Sequence, residues 1–65
     1  MIDTQRLKSI MVLNGKTQKD VAEHLGISTK TFYLRMKHGI FGSDEIDKMI
    51  DYLNIDEPMA IFFAK

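Results

Sequence analysis

The stretch TQKDVAEHLGISTKTFY, Thr17 to Tyr33, decides how the rest of the chain reads. Thr17 has the side chain of a helix N-cap, because its oxygen can accept from a free backbone N–H at the helix start. Asp20 follows three residues later and completes an approximate capping box, with Asp in place of Glu or Gln. Val21, Ala22 and Leu25 supply one apolar side. Gly26 then ends the helix, since glycine takes a positive φ that most residues avoid. Ser28 caps a further helix, expected over about residues 29–37, with Phe32 and Met36 four apart on one face. Two helices joined by so few residues are held at a large angle. Ala22 is small where they must approach, and Leu25 and Ile27 flank the corner and can seal it from inside. The outer face of the second helix is left with Thr29, Lys30, Tyr33 and, further along, Leu34 or Lys37.

Working outward, Asp3 caps a helix expected from Thr4 to Leu13, where Leu7, Ile10, Met11 and Val12 recur near helical spacing. NGK, residues 14–16, ends it. On the other side HGIFG reads as a loop anchored by Ile40 and Phe41. Ser43 is expected to cap a helix over about 44–53, with Asp44 and Glu45 favouring its positive end. Ile46, Met49, Ile50 and Leu53 form its apolar stripe, and Asn54 ends it. Asp56 is expected to cap a last short helix with Pro58 in its first turn, and Met59, Ile61 and one of Phe62 and Phe63 are expected to close the core. No segment alternates with a period of two. The expectation is therefore an all-α chain, a compact bundle of four to five short helices.

Composition narrows the classes. A chain of 65 residues reads as one domain spanning 1–65. Such a domain buries only about 60% of the surface its unfolded chain exposes, so its core is thin. There is no cysteine, which excludes a disulfide or a cysteine-ligated metal. His24 and His38 alone are too few for a metal site, and no cofactor is implied. No apolar run approaches the roughly 20 residues of a membrane span, and MIDTQRLK lacks the features of a signal peptide. A cytoplasmic setting is the simplest expectation. Met1 at the start and an end soon after the last expected helix fit a whole small protein.

The net charge is zero, but its distribution is uneven. Residues 15–39 hold five basic side chains (Lys16, Lys19, Lys30, Arg35, Lys37) against Asp20 and Glu23. Residues 43–65 hold six acids against two lysines. A chain polarised this way can turn a basic face to a polyanion and keep its acidic face away.

The opening stretch resembles the helix-turn-helix of the phage repressor and Cro family, the XRE-type regulators. Gln18, Ala22, Gly26 and Ser28 match that pattern in order and spacing. Val21, Leu25, Ile27 and Phe32 fall at its apolar positions. The motif covers about residues 17–37, and the helices around it extend the likeness to a lambda-repressor-like fold over the whole chain. One departure stands out. Many relatives have an apolar residue where this chain has Arg35, and Met36 offers itself instead. The second motif helix is therefore expected to be rotated or extended near its end.

The resemblance implies a sequence-specific regulator of transcription, in a bacterial or phage-infected cell, that occupies a duplex DNA operator through the major groove. Thr29, Lys30 and Tyr33 would contact bases, Tyr33 with a phosphate as its alternative. Gln18, Ser28, Lys19, Thr31 and Lys37 would contact phosphates, with Lys16 as a further candidate. Ser28 is also explained by its cap. Arg35 is open between DNA and an acid of the fourth helix. A two-fold operator calls for a dimer, and the apolar end with Phe62 and Phe63 is the expected interface. A rival reading makes the same fold a protein-interaction module, an antirepressor or antitoxin component. An enzyme is disfavoured, because no cysteine nucleophile, phosphate-binding glycine loop or catalytic constellation is present. No small-molecule substrate is implied.

Overall fold

A computed structural model describes residues 2–63. It contains five helices: α1 (Thr4–Leu13), α2 (Gln18–Leu25), α3 (Thr29–His38), α4 (Ser43–Tyr52) and α5 (Pro58–Phe62). There is no strand among the described residues. The all-α expectation holds, with five helices rather than four.

Local chemistry sets the helix starts. The Arg6 N–H donates to Asp3 Oδ1 at 3.0 Å, capping α1. At α2 the capping box is complete: the Asp20 N–H donates to Thr17 Oγ1 at 3.1 Å, and the Thr17 N–H donates to Asp20 Oδ2 at 2.9 Å. The Thr31 N–H donates to Ser28 Oγ at 3.1 Å and caps α3. Each bond satisfies a backbone group that has no partner inside its helix.

The helix ends share one device. After α2, the Gly26 N–H donates to Glu23 O and the Ile27 N–H reaches back to Ala22 O, both at 3.1 Å. This pair of bonds closes the helix around a left-handed residue, and Gly26 takes φ +76°. The same pair recurs after α1, α3 and α4. At α4 the left-handed residue is Asn54, with φ +51°, a type that tolerates this region better than most. Asn14 adds a tie between distant ends: its Nδ2 donates to Ile10 O at 2.8 Å and to Leu53 O at 2.9 Å. The ends of α1 and α4 are thereby bonded together.

The core is wholly apolar among the described residues. Phe32 is its largest fully buried side chain, and every helix contributes to the core, through residues including Leu7, Val21, Met49 and Phe62. Phe41 packs on Phe32 with ring centroids 5.6 Å apart and planes tilted by 55°, an arrangement favoured by the quadrupoles of aromatic rings. Ala22 is fully buried, which lets α3 approach α2 closely.

Several expectations need correction. Val12 is exposed, because it lies about 100° around α1 from Met11. Ile40 is exposed while Phe41 is buried, since neighbours in an extended link point to opposite sides. Ser43 does not cap α4. It is the first helical residue, and the Gly42 N–H ahead of it donates to Glu45 Oε1 at 2.9 Å. Asp56 does not cap α5 either; Glu57 precedes the helix and makes no side-chain cap bond. Met59 points outward, whereas Ile61 and Phe62 face the core. Ile2 and Ile55 complete the core and were not singled out from the sequence.

An added Cβ at Gly26 would meet nothing within 4 Å. Replacement there acts through backbone conformation alone. Gly26→Ala is expected to cost roughly 1–2 kcal/mol. The check is urea unfolding, where the midpoint should fall with an unchanged slope.

Candidate nucleic-acid interface

The face of α3 follows from helical geometry. Phe32 and Met36 are buried and define its inner side. Opposite them run Lys30, Leu34 and Lys37, spaced i, i+4 and i+7, so they form one outward ridge. Tyr33 flanks the ridge; it is 54% exposed and Leu34 is 47% exposed. Thr29 and Thr31 are half-buried on the shoulders. The outer face of α3 carries no acid.

The start of α3 is tightly wired. Besides accepting from Thr31 N–H, Ser28 Oγ lies 2.9 Å from Thr31 Oγ1 and donates to it. Two hydroxyls joined by one hydrogen bond leave one proton free. Ser28 Oγ also holds the cap bond.

At the far end of α3, Arg35 is set against α4. The buried Nε of Arg35 lies 3.1 Å from Glu45 Oε2, without the alignment of a hydrogen bond. Glu45 therefore works with both oxygens: one accepts from Gly42 N–H, the other faces Arg35. Arg35 is turned toward α4 rather than left free on the outer face. Met36 takes the apolar role, and α3 runs one residue beyond the expected Lys37, to His38.

The flank of α2 is fixed by aromatic contacts. His24 stacks on Tyr52 of α4, with centroids 4.0 Å apart and planes within 10°. The Lys16 ammonium lies 4.9 Å from the centre of the same ring, a favourable cation–π contact. Lys16, a further candidate for phosphate, is thus engaged with α4. Gln18 is half-buried at the first position of α2, and Lys19 beside it is exposed. The roles of His24 and Tyr52 had no signal in the sequence, because the contact joins residues 28 apart in the chain.

The two phenylalanines of the expected dimer interface separate. Phe62 is 3% exposed and belongs to the core, so its side chain offers no surface; Phe63 is 60% exposed. They are neighbours on a helical turn and point about 100° apart. Met59, four residues before Phe63, shares its outer side and is exposed as well.

No metal-holding group of His, Cys, Asp or Glu occurs among the described residues. No helix among them is long and apolar enough to cross a membrane.

Two helices meeting at one tight corner, with a basic ridge outward on the second, define a helix-turn-helix domain of the kind that serves DNA-binding regulators. The chain belongs to the bacteriophage CI repressor helix-turn-helix domain family, which matches residues 4–56. The match covers α1 to α4 and stops ahead of α5. No curated protein matches the chain, and no solved structure does.

The capping box carries a pH dependence. The Asp20 carboxyl is held below its usual value of 3.8, first by the Thr17 N–H and then by the Thr17 hydroxyl, with Lys16 and Lys19 adding to the effect. A carboxyl that ionises more readily when folded stabilises the fold above its unfolded value, and that support is lost as pH falls through the folded value. Asp20→Asn is therefore expected to narrow the gap in urea midpoint between about pH 6 and about pH 3. An equal gap in both proteins would show that other carboxyls carry the whole dependence.

Proposed function

We propose that this protein is a sequence-specific regulator that places α3 in the major groove of an operator. The observation that carries this reading is the outward ridge Lys30–Leu34–Lys37, acid-free and set on a helix locked from behind. An α-helix about 10–12 Å across fits a major groove about 12 Å wide. Lys30, near the start of the ridge, can donate to guanine O6 or N7. Leu34 can meet a thymine methyl, the contact for which an apolar side chain on an exposed ridge is suited. The Thr29 methyl lies beside them on the shoulder. Thr31 and Ser28, joined at the start of α3, stand as phosphate contacts with one hydroxyl proton to spare between them. Gln18, Lys19 and Lys37 stand as further phosphate contacts from the start of α2 and the end of α3.

A two-fold operator spaces its half-sites by one helical turn and calls for two copies of the motif. Met59 and Phe63 on the outer side of the last helix supply the apolar surface for pairing, with Phe62 behind them in the core. Met59→Asp with Phe63→Asp is expected to leave the fold intact. The pair should lower the apparent mass at high concentration, read by sedimentation. The same low mass for the wild-type chain would remove this dimer.

The zero net charge and the acids of α4 favour a second reading, a protein-interaction module on the same fold. One experiment separates the two. Fluorescence anisotropy compares the duplex upstream of the protein's own gene with a shuffled duplex, at low and moderate salt. The operator reading expects preference for the upstream duplex and salt-weakened binding. Lys30→Ala should cost about 1–3 kcal/mol on that duplex. Absence of binding at low salt would favour the protein partner.

A further inference from the structure

A cleft of about 480 Å³ opens beside the α3 ridge. Thr4 and Lys8 of α1 line one wall, Gln18 stands at the start of α2, and Tyr33, Met36 and Lys37 of α3 line the other wall. Thr4 with Lys8, and Tyr33 with Lys37, are each four apart, so each helix presents a pair along one face. The polar groups are two ammoniums, an amide, a phenol and a hydroxyl, with the Met36 thioether beside them. No carboxylate lines the cleft, and neither lysine has an acidic partner within 4.0 Å among the described residues. Lys8 and Lys37 both line the cleft, so it gathers positive charge that a bound anion would offset.

We infer that this cleft is a phosphodiester site, in which Lys8 and Lys37 clasp one backbone phosphate of duplex DNA while Gln18 and Tyr33 donate hydrogen bonds to it. The inference rests on the DNA-binding reading above and adds α1 to the contact surface. The argument for DNA backbone as the source of the anion is geometric. A helix nearly fills the width of the major groove. Its crest then meets base edges, and its flanks border the rims where the phosphates run. Lys30 and Leu34 are on the crest of α3. Tyr33 is on the flank, inside the cleft, on the side where α1 stands. Tyr33 is thereby assigned to a phosphate and not to a base.

The test uses the full chain on two duplexes, the one upstream of its own gene and the shuffled one, across a salt series. The variants are Lys8→Ala, Lys8→Arg and Tyr33→Phe. Lys8 is exposed, and circular dichroism should show unchanged unfolding for Lys8→Ala. Lys8→Ala is expected to weaken both duplexes by the same factor, about eightfold at 0.1 M salt, and to reduce the salt slope by about 0.9. Lys8→Arg should keep the slope. Tyr33→Phe should weaken both duplexes alike. Unchanged affinity and slope for Lys8→Ala, on a wild-type chain that binds, would overturn the site and leave the DNA reading standing. A loss for Tyr33→Phe confined to the upstream duplex would make Tyr33 a base reader and overturn its assignment. A wild-type chain that binds neither duplex would overturn both readings together.

Discussion

The corner at Gly26 is the constraint on which the rest of the structure depends. One left-handed residue lets the chain leave α2 and, two residues later, enter α3 under the Ser28 cap. The two backbone bonds that close α2 satisfy the carbonyls of Ala22 and Glu23 at the corner itself. Because the connection is so short, the angle between the helices cannot drift without breaking a cap. Ala22 and Phe32 then turn that angle into burial: one is small enough to permit close approach, and the other large enough to fill the centre.

Everything outside the corner holds α3 from behind. Phe41 reaches Phe32 from the loop after α3. Glu45 ties the start of α4 to Arg35 while keeping the Gly42 N–H satisfied. Tyr52 gives α2 an aromatic partner in His24 and a cationic one in Lys16. Asn14 bonds the ends of α1 and α4. A helix held this way presents its outer side chains with little freedom to reorient, and a rigid element supports a binding site better than a loop does.

Charge is divided along the same line. Asp44 and Glu45 of α4 stand in its own N-terminal turn, Glu45 also facing Arg35, and the ridge of α3 carries no acid. A chain of zero net charge can still offer a basic face, because the opposing charges are on different elements. The last helix stands apart from this division. It lies beyond the family match, contributes Ile61 and Phe62 to the core, and turns Met59 and Phe63 outward.

Much of the fold was legible in the sequence because the signals were local. Caps act over three residues, turns over two, and helical periodicity over four. Asp3, Thr17, Asp20, Gly26 and Ser28 therefore announced the helix boundaries, and the buried sides of α2 and α3 followed from spacing. The faces at the helix ends were less legible, since a shift of one residue turns a side chain by about 100°. That is why Val12, Ile40 and Met59 proved exposed, and why Phe62 and Phe63 separated. Tertiary structure alone decided the contacts between distant residues: Arg35 with Glu45, His24 with Tyr52, and Asn14 with Leu53; it also set Lys8 and Lys37 in one cleft. No local preference encodes such pairs. They exist because packing around Phe32 fixes how five helices face one another, and only then do side chains far apart in the chain come within reach.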